Sequence, residues 1–182
     1  MKFKKFQSLA KSAGMCEVIC IEEENIQFLN NGYTVYPVHR LPSLNDEMII
    51  ALLDIKEKKR EDFSITHVAT TSINYNDIDD SEEPLVTARF TIKFDEVENV
   101  VRPVFAKNGL YYYNPKWLEP FDGEDYTLYI RYSKGNPYIA VKQGMFALGF
   151  VLLRDLNERL QDLKIDSKAD LETLCSMLEV RK

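Results

Sequence analysis

The stretch Cys16–Val38, CEVICIEEENIQFLNNGYTVYPV, decides the fold. It divides into CEVICI, IQFL and YTVYPV, runs rich in β-branched and aromatic residues that suit a pleated, half-buried surface. EEEN and NNG separate them, and Asn and Gly tolerate the backbone that tight turns require. The spacing predicts a β-meander over residues 15–38. Its first turn gathers Glu22, Glu23 and Glu24 beside Asn25, and its second sets Asn30 and Asn31 before Gly32. Polar tips of this kind project between strands, so these six acidic and amide residues are the predicted partner-binding set.

Working outward, Phe3, Phe6, Ala10 and Ala13 recur at helical spacing before Gly14, which predicts a short helix with a glycine C-cap. Downstream of the meander, Ser43 and Asp46 match a capping box ahead of Met48, Ile49, Leu52 and Leu53, and Lys56–Phe63 suits a second helical piece. NYNDIDDSEEP, Asn74–Pro84, lacks apolar periodicity and reads as an exposed acidic loop. Beyond it come VTARFTIKF, VVRPVFA, LYYY, YTLYIRY, PYIAVK and MFALGFVLL, which predict a main antiparallel sheet over residues 86–153. Pro115–Phe121 forms a helical turn within that run, and leucine spacing predicts C-terminal helices over residues 155–179. The expected class is α+β, one domain over residues 1–182, with a mainly antiparallel sheet, an N-terminal β-meander and flanking helices.

With 182 residues, ten Phe and ten Tyr, the chain has ample material for a packed core. Its net charge of −6 disfavours a broad basic surface for nonspecific nucleic-acid binding and suits a basic partner. Cys16 and Cys20 lie about 13 Å apart along one strand, too far for a disulfide. With Cys175 they lack zinc-site spacing, so buried free thiols in a reducing cytoplasm are expected. The most apolar run, Met145–Leu153, is far short of a membrane-spanning helix, which needs about 20 residues. No membrane association is expected.

Candidate chemistry is sparse. Asp77, Asp79, Asp80, Glu82 and Glu83 supply oxygen ligands, but no glycine marks a sharp turn and no acidic residue closes an EF-hand loop. A solvated loop is expected there, with no metal site and no cofactor. His39 with Arg40, and His67, contain the groups for metal-independent RNA cleavage, yet their sequence spacing sets no geometry, and catalytic residues stay unassigned. Lys2, Lys4, Lys5 and Lys11 form a basic N-terminal cluster. Tyr111, Tyr112, Tyr113, Tyr129 and Arg131 offer stacking groups for a single strand, or cross-strand pairs within a sheet.

RLPSLNDEMIIALLDIKEKKREDF, Arg40–Phe63, followed by NYNDIDDSEEPL, resembles a group of small proteins carried on integrative and conjugative elements and phages of Gram-positive bacteria. GMCEVICIEEENIQFLNNGYTVYPV, Gly14–Val38, together with the chain's size and acidity, is similar to type II-A anti-CRISPR proteins that inactivate the effector nuclease through its guide RNA. The resemblance implies binding to a type II RNA-guided nuclease with its bound guide RNA, and truncation of that RNA when the nuclease is present. It implies no small-molecule substrate, and leaves open whether this chain supplies catalytic groups. The alternatives are a non-catalytic binding protein of a mobile element, or a metal-dependent ribonuclease using the acidic loop.

Overall fold

A computed structural model describes residues 2–21, 26–39, 41–86, 91–93 and 100–155 of the chain. It is an α+β protein. The first helix, α1 (Phe3–Ala13), ends at Gly14, whose φ of 70° lets its amide donate to the Ala10 carbonyl as a left-handed cap. The meander follows as β1 (Met15–Ile21), β2 (Ile26–Asn30) and β3 (Thr34–Val38), paired antiparallel in sequence order.

The second helix, α2 (Asp46–Leu53), is capped by Asn45, whose side-chain oxygen accepts from the Met48 amide at 2.9 Å. Ser43 therefore does not cap it: Asn45 stands immediately before the first helical residue. Asp54 then adopts a left-handed conformation and stops the helix, so Lys56–Phe63 contains only the short 3-10 turn Glu57–Lys59. The chain returns as β4 (Ser64–Val68), parallel to β1, which the intervening crossover through α2 permits.

After β5 (Glu83–Pro84) and β6 (Ile92–Lys93) come β7 (Val100–Ala106) and β8 (Gly109–Tyr113). A 3-10 segment, Pro115–Phe121, leads to β9 (Thr127–Ser133), β10 (Asn136–Gln143), β11 (Phe146–Leu152) and the short β12 (Arg154–Asp155). The helical turn expected at Pro115–Phe121 is present, with the Asn114 side chain accepting from the Lys116 amide. The C-terminal helices expected over 155–179, including Cys175, fall outside the described residues after Asp155, as does most of the strand expected at VTARFTIKF.

The sheets are arranged differently from the sequence expectation. The meander is not separate from the later strands: β3 pairs with β11, giving one eight-stranded sheet in the order β4-β1-β2-β3-β11-β10-β9-β5. The strands β12-β8-β7-β6 form a second, smaller sheet. Period-two alternation cannot reveal this join, because it fixes which residues share a face but not which strand edge finds which.

The large sheet buries both faces. On one, Cys16, Val18, Leu29, Tyr36, Ile139, Val141 and Val151 meet Phe6 and Ala10 of α1, Ile49 and Leu53 of α2, Val104 of β7 and Phe121. On the other, Ile19, Phe28, Val35, Tyr138, Ala140 and Phe150 form a smaller cluster covered by Ile73 and Tyr75. These last two residues belong to the segment between β4 and β5, so that segment is a strap across the sheet. Among the described residues no helix is long and apolar enough to cross a membrane.

Candidate functional site

The predicted contact residues have separate fates. Glu22, Glu23, Glu24 and Asn25 lie outside the described residues. Asn30 is half-buried, its amide donating to the Glu17 carboxylate at 2.9 Å while its oxygen accepts from the Gly32 amide. Asn31 is fully buried, with its oxygen accepting from the Tyr33 and Thr34 amides. These two asparagines build the turn, and Asn31 offers no surface to a partner in this conformation.

His39 is exposed, while His67 is held at 2.7 Å by Asp46 at the start of α2. Lys5 pairs with Glu119 at 2.9 Å and Lys11 with Asp54 at 3.0 Å. Cys16 is buried, and burial pushes its thiol up to about 12, which suits packing rather than nucleophilic attack. The tyrosine and arginine set expected to offer stacking groups is divided, because Tyr113 and Arg131 are both 0% exposed.

Arg131 is instead the centre of a clasp. It sits in β9 on the same face as Tyr138 and Ala140, where the strap crosses. Its Nε donates to Glu82 Oε2 at 2.7 Å, its Nη1 to the Asn74 and Asn76 carbonyls at 3.2 and 2.7 Å, and its Nη2 to the Asp77 carbonyl at 3.0 Å. Lys142 of β10 reaches the other Glu82 oxygen at 2.7 Å. A buried guanidinium is tolerable only when its donors are satisfied and its charge is paired, and the strap supplies both. The reading of Asn74–Pro84 as a freely solvated loop is therefore corrected: Glu82 is an internal counter-ion.

Asp79 braces the same strap. Its carboxylate accepts from the Ser81 amide at 2.7 Å, the Ser81 hydroxyl at 2.6 Å and the Asn74 side chain at 2.8 Å. Burial pushes this carboxyl up, but the Ser81 and Asn74 hydrogen bonds and the Arg131 charge outweigh it and hold the group below its ordinary value. The Ser81 hydroxyl oxygen also accepts from the Tyr132 amide of β9, and the Asn74 amide donates to the Tyr138 hydroxyl. Glu83, at the end of the strap, pairs with Lys107.

This fixed backbone positions the candidate site. Asp77 accepts from the Ala147 amide of β11 at 2.8 Å, tying the strap to the β10–β11 hairpin. Ile78, directly after Asp77, is 72% exposed; Met145 and Phe146, directly before Ala147, are 69% and 67% exposed. Exposed apolar side chains mark a contact surface where they are contiguous, and singly they are ordinary. Asp77 and Asp80 are exposed beside them, and neither forms an ion pair among the described residues. Ala147 pairs with Lys142, which faces the strap, whereas Phe146 pairs with Gln143 on the alternate side of the hairpin, so Ile78 and Phe146 flank the β10–β11 tip rather than forming one patch, and the chemistry available here is that of binding. Among the described residues no three His, Cys, Asp or Glu side chains converge as a metal site.

The sequence carries a signal for the clasp. Arg131 and Lys142 are cations inside otherwise β-patterned runs, and an acidic segment precedes them. Cations at buried strand positions require counter-ions, and the segment rich in Asp and Glu could provide one. In comparisons with family models, curated proteins and solved structures, the chain matches none.

Proposed function

We propose that this protein is an anti-CRISPR inhibitor of a type II RNA-guided DNA nuclease, binding the nuclease with its guide RNA and promoting nuclease-dependent truncation of that RNA. The observation that carries the reading is the exposed Asp77, Ile78 and Asp80 of the braced strap, tied through Asp77 to the β10–β11 hairpin whose tip exposes Met145 and Phe146. A guide-RNA nuclease presents a positively charged channel, and complementary charge steers an acidic protein toward such a partner while exposed apolar groups bury on contact. The sequence resemblance and the net charge of −6 support the same partner class.

The test incubates the protein with guide RNA alone, with nuclease and guide RNA, and with both plus a chelator, following RNA length and DNA cleavage. Guide RNA shortened only when the nuclease is present is the expected result. Inhibition of DNA cleavage with the guide intact would replace truncation by simple binding. Shortening without nuclease that the chelator abolishes would favour an independent metal-dependent ribonuclease. The exposed double variant I78D/F146D is expected to keep its fold and to lose inhibition by at least about tenfold, as loss of central apolar contacts does at other interfaces.

A further inference from the structure

A second feature lies away from the strap, where α1 ends, α2 ends and the 3-10 turn Glu57–Lys59 folds between them. Two left-handed residues shape it. Gly14 closes α1 and accepts from the Ser64 amide at 3.0 Å, while Asp54 closes α2 with φ of 53°. The result is a groove of about 380 Å³. That volume is at the lower end of the roughly 300–1,000 Å³ typical of small-ligand sites.

The groove is locally cationic although the protein is acidic. Lys56, Lys58 and Lys59 line it, are exposed, and make no ion pair among the described residues. Lys11 also lines it and is held at 3.0 Å by Asp54, which satisfies that aspartate and leaves Asp62 as the other acidic lining residue. Ile55 and Phe63 contribute an apolar wall, with Phe63 half-buried and its position set by the Phe63 amide donating to the Arg60 carbonyl. Three lysines without an ion pair among the described residues, in a groove also lined by Ile55 and the aromatic Phe63, suit a ligand with a multiply charged anionic end and a flat ring.

We infer that this groove binds a phosphorylated nucleotide unit, its phosphate on Lys56, Lys58 and Lys59 and its base against Phe63 and Ile55. The same chemistry is available from a free nucleotide or from one unit of a single strand. The inference does not depend on the identity of the protein partner.

The test uses the full chain and three probes: fluorescein-labelled decauridylate RNA, ATP and inorganic pyrophosphate, with affinity measured by fluorescence anisotropy and calorimetry across a salt series. Binding of decauridylate alone assigns the groove to a strand, and binding of ATP as well assigns it to a nucleotide. In either case K58E/K59E should weaken binding at least about tenfold, and for the strand flatten the salt dependence by about 0.7 per lysine lost. The charge-conserving K58R/K59R should retain it. Both side chains are exposed, so circular dichroism should show an unchanged fold. Absence of binding to both RNA and ATP overturns the inference, as does binding that K58E/K59E leaves unchanged. Pyrophosphate that binds as tightly as ATP overturns the base contact on Phe63.

Discussion

Arg131 is 0% exposed and yet charged, so the strength of its partners decides whether β9 can carry it. Glu82 and the carbonyls of Asn74, Asn76 and Asp77 receive its hydrogen bonds, and its guanidinium also lies 5.9 Å from the Phe150 ring centroid. Removing one partner of a buried pair leaves the other without compensation, at a cost of about 3–5 kcal/mol. Arg131→Ala should destabilise the protein by about that amount, near the lower end because Lys142 still holds Glu82. Lys142→Ala removes one such bond and should cost less. Denaturant unfolding of both variants checks the order; an Arg131→Ala loss below about 1 kcal/mol would show that the clasp is not a major source of stability. In the sequence, Arg131 was visible as a cation in an apolar strand, but its counter-ion lies 49 residues earlier. That pairing required the strap to be laid across the sheet.

At the scale of elements, the strap is held more by polar contacts than by its own secondary structure. Ile73 and Tyr75 anchor it over Phe28 and its neighbours, with the Tyr75 and Phe28 rings 5.6 Å apart, and Asp79 stabilises its bend. Because the Asp79 carboxyl is held below its ordinary value in the fold, its contribution to stability is present above the unfolded-state pKa of about 3.9. That contribution is lost as pH falls through the lower folded value. Thermal melts should therefore show the wild type losing more stability than Asp79→Asn on acidification below about pH 4. Parallel loss in the two proteins would contradict this linkage. The meander was legible because its period-two pattern and its turn residues agree. The strap has no comparable periodicity, so its polar composition by itself points to solvation.

For the whole molecule, Gly149 marks the place where three parts meet. A Cβ there would lie 2.7 Å from the Val35 carbonyl oxygen of β3 and 2.7 Å from two Phe121 ring atoms of the 3-10 segment. Its φ of 156° adds backbone strain to any substitution. The bulge that leaves Leu148 unopposed between the Val141–Gly149 and Lys142–Ala147 pairs brings β11 into this approach. Gly149→Ala should cost about 1–3 kcal/mol by forcing the backbones apart. Trp117 can report the effect beyond the mutated strand, because its ring stacks on Tyr33 of the meander turn at 4.5 Å and its carbonyl accepts from Thr34. Trp117 fluorescence and far-ultraviolet circular dichroism should give coincident unfolding curves, both shifted by Gly149→Ala. Separate transitions would mean that the meander and the later strands unfold independently.

The sequence by itself determined the α+β class, α1 with its glycine cap, the three meander strands and the helical turn at Pro115–Phe121, because each depends on periodicity and on residues within a few positions. Only the tertiary structure decided that β3 joins β11, that Glu82 neutralises Arg131 and Lys142, that Asn31 is interior, and that Asp77 of the strap is tied to Ala147 of the β10–β11 hairpin. These are contacts between distant positions. Local preference is silent about them because chain closure brings together edges, charges and carbonyls whose own sequence neighbourhoods do not depend on one another.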